Sequence, residues 1–104
     1  MIAQEILRGG ADLIERVGWW PGHKRASPCV GFCALSAIGT VGRNKGSQTV
    51  TQVADAFKEF LGVQWVADWN DSQPDGATVC KALRDCADHL DRQSIQTDSD
   101  KEKV

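Results

Sequence analysis

The sequence predicts an all-α fold, a small single-domain bundle of about four helices around a buried central helix at 28–41. Three observations carry this. Residues 28–41 read P-C-V-G-F-C-A-L-S-A-I-G-T-V, in which only Ser36 and Thr40 are polar, and a helix that is apolar all round is a buried one. Val50, Val53, Ala54, Phe57, Phe60 and Leu61 recur at helical spacing, with Gln52, Asp55, Lys58 and Glu59 on the other side. The stretch that reads most like a strand, 63–69, has no partner, and a lone strand makes no stable sheet.

Taken in order, the first helix is expected at 2–17, with Ile6, Leu13, Ile14 and Val17 along one side. Gly9 and Gly10 weaken that pattern, since each costs about 1 kcal/mol against Ala inside a helix. Either the helix starts at Gly10, or the glycines let the central helix approach closely. Gly18 is a natural C′ residue, and Trp19-Trp20-Pro21-Gly22 reads as a turn. His23, Lys24 and Arg25 follow as a basic loop.

Ser27 is a good N-cap and Pro28 a good first helical residue for the central helix, because proline's missing N–H is an orphan there in any case. The run is too short to cross a bilayer, which takes about 20 apolar residues. After a loop at 42–47, the amphipathic helix spans 49–61, with Ser47 or Thr49 at its start and Gly62 at its end. Segment 63–69 is read as a short extra helix, which places Trp65 and Trp69 on one face. Asn70 lies in the following loop as a structural residue, tying the backbone through its side chain. Asp75 caps the last helix, and Val79, Leu83, Cys86 and Leu90 form a stripe that packs on another helix. Residues 1–91 make the domain. Residues 92–104 hold many charges and few apolar side chains, the composition of a flexible tail.

Composition narrows the function classes. A chain of 104 residues makes one domain. A net charge of −2 gives no general attraction to nucleic acid or to a membrane. The chain does not open on a basic region, an apolar run and a small-residue cleavage site, so a cytoplasmic location is expected. There the four cysteines are expected as free thiols or metal ligands rather than disulfides. Tyrosine is absent while tryptophan is used four times, and tryptophan dominates both cores and binding hot spots.

Several short motifs stand in a fixed order: A-D-L-I-E-R-V-G-W-W-P-G at 11–22, C-A-L-S-A-I at 33–38 and W-N-D at 69–71. Together they resemble a family of small uncharacterised proteins, a domain of unknown function, from actinobacteria and their phages. Ser36 stands where that pattern carries Gly. The resemblance covers 11–90 and implies a helical fold and an actinobacterial or phage setting, with no reaction to carry over.

Each candidate chemistry competes with packing. Cys29 and Cys33 share a helix face and are the weak alternative for a metal site. Cys80 and Cys86 diverge by about 120° around a helix and about 9 Å along it, so four ligands do not converge and no metal or cofactor is expected. Cys29 near a helix start, with His23 or His89 as base and Asn70 or Asp71 as orienter, could be drawn as a nucleophile. No hydrolase signature accompanies it, and no catalytic residue is assigned. The loop G-T-V-G-R-N-K-G-S lacks the Gly-Lys-Ser/Thr order of a phosphate loop. The basic residues His23, Lys24, Arg25, Arg43 and Lys45 fall at opposite ends of the central helix, which disfavours a nucleic-acid footprint. The reading that remains is a non-enzymatic protein–protein interaction module using an exposed tryptophan among Trp20, Trp65 and Trp69. Its partner is an unknown protein, which for a phage-encoded chain is a host protein; a homodimer is compatible with it. The alternatives are a small metal or redox module on Cys29 and Cys33, and a nucleic-acid-binding regulator.

Overall fold

A computed structural model describes residues 2–19 and 32–103, with side chains at 2–19 and 32–93. Within these residues the fold is all-α. Five helices are present, α1 (Ile2–Val17), α2 (Ala34–Val41), α3 (Ser47–Leu61), α4 (Val66–Asp71) and α5 (Gly76–Lys103), with a 3-10 turn at Arg43–Lys45. Trp20, Ser27, Pro28, Cys29 and the basic triplet His23, Lys24 and Arg25 lie outside the described residues.

The most extensive packing is between α1 and α5. Ile6, Leu7, Ala11, Leu13 and Ile14 of α1 and Val79, Cys80, Leu83, Cys86 and Ala87 of α5 are buried. Val17, expected on the buried stripe, is half exposed beside the helix end. Ion pairs fasten the rims. Arg8 binds Asp88 and Asp91 at 2.7 and 2.6 Å, and Arg84 binds Asp12 at 2.7 Å and also Glu15. These pairs are largely exposed, so they fix register more than they add stability.

The expected central helix is shorter and less central than the sequence suggests. Phe32 and Cys33 are extended, and α2 begins at Ala34. Its cap is Cys33 rather than Ser27. The Ser36 N–H donates to Cys33 Sγ at 3.4 Å, and the Cys33 N–H donates to Ser36 Oγ at 2.9 Å, a reciprocal capping box. One face of α2 is buried through Ala34, Ala37 and Ile38, while Leu35 and Ser36 are exposed. Gly9 of α1 eases its approach. A Cβ on Gly10 would lie 3.6 Å from Ala37 Cβ, and one on Gly9 would lie 2.9 Å from Val41 Cγ1. α1 runs unbroken from Ile2, so close approach accounts for Gly9, whereas the 3.6 Å at Gly10 is ordinary van der Waals contact.

α3 buries Val53 and Phe57. Neither Ser47 nor Thr49 caps it. The N-cap is Gly46 at φ 95° and ψ 153°, a conformation L-residues with a Cβ avoid, and it offers no side-chain cap. α5 is capped by Asp75, whose Oδ1 accepts the Thr78 N–H at 2.9 Å. Its backbone is helical past residue 91 to Lys103. Residues 92–103 contain no Gly or Pro to stop a helix.

Candidate functional site

α4 is the short helix at which α2, the end of α1 and α3 meet the surface. Asn70, expected in a loop, is its fifth residue and is 1% exposed. Its Oδ1 accepts two hydrogen bonds, from Trp19 Nε1 at 3.0 Å and from the Ala34 N–H at 3.0 Å. The second satisfies an orphan amide of the first turn of α2. Nearby, the Phe32 N–H donates to the Gly18 carbonyl at 2.9 Å, so the chain leaving α1 and the chain entering α2 are joined side by side. Asn70 thus holds three segments together from inside α4.

That anchoring fixes the outer surface of α4. Trp69 is half-buried and meets Phe57 edge-on, with ring centroids 5.6 Å apart at 87°. Val66 is buried and Phe57 is wholly buried behind it. Trp65 is the N-cap, with extended φ −131° and ψ 114°, and this backbone turns its ring outward. It is 62% exposed, the most exposed large apolar side chain among the described residues. Val63, Gln64, Trp65, Asp68, Trp69 and Ser72 line one open groove of about 340 Å³. Trp65 and Trp69 therefore share a surface as the i, i+4 spacing suggested, but they differ in role, Trp69 serving as the wall and Trp65 as the rim. Asp68, Val63, Gln64 and Ser72 were not singled out in the sequence.

The other candidates are dispersed. Cys33 is half-buried and engaged in its capping box. Cys80 and Cys86 are buried in the α1–α5 interface, where burial raises the Cys80 thiol and pushes the Cys86 thiol up to about 11. The Cys80 thiol donates to the Ala11 carbonyl at 3.4 Å. Among the described residues no three His, Cys, Asp or Glu side chains are gathered as metal ligands. His89 lies against Phe60, with ring centroids 5.3 Å apart. Arg43 and Lys45 are exposed on the 3-10 turn. No helix of the described residues is long and apolar enough to cross a membrane.

The model of a family of unknown function, DUF6197, matches residues 2–89. That span takes in α1 to α4 and the packed part of α5. No curated protein and no solved structure matches the chain.

Proposed function

The chain belongs to the DUF6197 family of unknown function, and we propose that it is a non-enzymatic protein-binding module whose contact surface is the α4 groove. The observation that carries this is Trp65, 62% exposed at the rim of a groove whose wall is Trp69. Leaving a tryptophan ring in water forgoes the burial that makes this residue type worth having, and exposed tryptophan beside apolar neighbours marks partner surfaces. A rigid base supports the reading. Asn70 and Phe57 fix α4, so little ordering entropy is lost when a partner docks. In this reading the protein works in the cytoplasm, in an actinobacterial or phage setting, and its partner is a host protein. It needs no cofactor. The metal or redox alternative would require Cys33 to leave its cap, and the nucleic-acid alternative has, among the described residues, the exposed Arg43 and Lys45 turn in its favour.

The test is capture from host lysate with the whole chain, Trp65→Ala and Cys33→Ser side by side. A partner should be retained by the wild type and by Cys33→Ser. With Trp65→Ala its affinity should fall about thirtyfold, the typical loss for a truncated hot-spot tryptophan. A partner kept by folded Trp65→Ala and lost with Cys33→Ser would replace this reading with a thiol-based one.

A further inference from the structure

The groove has a charge as well as an apolar wall. Asp68, in the first turn of α4, and the exposed indole of its N-cap Trp65 line the same groove. Asp68 is exposed, and its carboxylate has no hydrogen-bond or ion-pair partner among the described residues. An acid in the first turn also suits the helix dipole, and that would hold at any surface. What distinguishes Asp68 is the ring beside it. The surrounding sequence has the same sign. From residue 59 to residue 80 there are four acids, Glu59, Asp68, Asp71 and Asp75, and no Lys, Arg or His. Lys81, which ends that window, is itself paired with Asp85 at 2.7 Å.

Resting on the binding reading above, we propose that the α4 groove receives a basic side chain of a partner protein, an arginine by preference, carried on a segment with a neighbouring apolar residue. A guanidinium stacks on an indole face and pairs with a carboxylate through its planar edge, and Trp65 and Asp68 offer both in one groove. The apolar neighbour has Val63 and Trp69 to pack on. Other occupants meet a penalty. Phosphates and acidic peptides are repelled by the Asp68 carboxylate. A wholly apolar segment would strip water from Asp68 without pairing it.

The experiment is selection of a display library of random dodecapeptides on the whole immobilised chain, followed by titration of the enriched peptides. They should carry arginine or lysine beside an apolar residue. Their binding should weaken with added salt, and should fall about tenfold or more in Asp68→Asn, its helicity checked against wild type by circular dichroism. Enriched peptides without basic residues, or equal binding to Asp68→Asn, would overturn the basic-partner proposal while leaving the groove in place. An empty selection, or peptides that bind Trp65→Ala as well as wild type, would overturn both. A concentration-dependent dimer lost in Trp65→Ala would overturn it in favour of a second copy of the chain.

Discussion

Trp19 and Asn70 stand fifty-one residues apart in sequence and share one hydrogen bond, from indole Nε1 to Oδ1 at 3.0 Å. The same oxygen accepts the amide that opens α2. One amide side chain inside a six-residue helix thereby joins the end of α1 to the start of α2. A helix so short has little stability of its own, so the position of α4, and with it the Trp65 groove, depends on this junction.

Asn70→Ala leaves two donors without a partner in a site that is 1% exposed. Each orphaned group costs about 1 to 3 kcal/mol, so a loss of about 2 to 4 kcal/mol is expected. That is a large share of a small domain's stability. Trp19→Phe removes one of the two bonds and should cost less. Urea unfolding of both variants and of the double variant checks this. The double variant should be less destabilised than the sum, because the two residues share a bond.

Two glycines predict opposite signs. A Cβ on Gly76 would fall 2.5 Å from Trp19 Cβ, an atom that moves only with its backbone. Gly76→Ala should therefore destabilise the protein and shift the Trp19 fluorescence. Gly39 lies inside α2 with nothing within 4 Å of the same position. Gly39→Ala should stabilise by about 0.5 to 1 kcal/mol, the usual gain in a helix interior. Thermal unfolding of the two variants separates them.

Acid should loosen the α1–α5 interface. Arg84 holds the Glu15 carboxyl below its ordinary pKa, and Arg8 does the same for Asp91. The Thr78 amide lowers Asp75. A group depressed in the folded state contributes stability above its unfolded pKa and loses it as pH falls through the folded value. Melting temperature should thus hold from neutral pH down to about 5 and fall modestly below about 4, the ordinary carboxylate range, since the pairs are exposed and each adds little. Replacing both Arg8 and Arg84 by Met should flatten that acid limb. An unchanged limb would place the acid-sensitive groups elsewhere.

The thiols should divide by burial. The thiolate is the reactive form, and Cys80 and Cys86 are both buried and raised. In the variant Cys29→Ser, Cys33→Ser, an aromatic disulfide reagent at pH 8 should find almost no thiol in the native protein and the remaining pair once it is unfolded in urea. Fast native reaction would mean that the α1–α5 interface opens readily.

The helices were legible where side-chain period alone decides. Val53 and Phe57 sit where the amphipathic pattern of α3 puts them, and Val79, Leu83 and Cys86 face α1 as their spacing requires. The start of α2 was not legible. Ser27-Pro28 is a strong local signal, whereas a thiol is a weak acceptor and Cys33 carries no obvious capping signature. Its selection depends on the long-range bonds of Asn70 and Phe32, which no local pattern encodes. The groove was half legible. The i, i+4 spacing paired Trp65 with Trp69, but the extended backbone at Trp65 decides which ring faces water. Asp68 looked like an ordinary acid, and the absence of any base between Lys58 and Lys81 was the sequence signal available for it.

The most direct measurement is the ¹H–¹⁵N spectrum of the whole chain during titration with the tightest display-selected peptide. The Trp65 indole resonance and the Asp68 amide should move with the added peptide. The Trp19 indole proton, bonded to Asn70, should stay in place and exchange slowly with solvent throughout. A Trp65 resonance that does not move while resonances around Cys33 or the Arg43–Lys45 turn do would contradict the account.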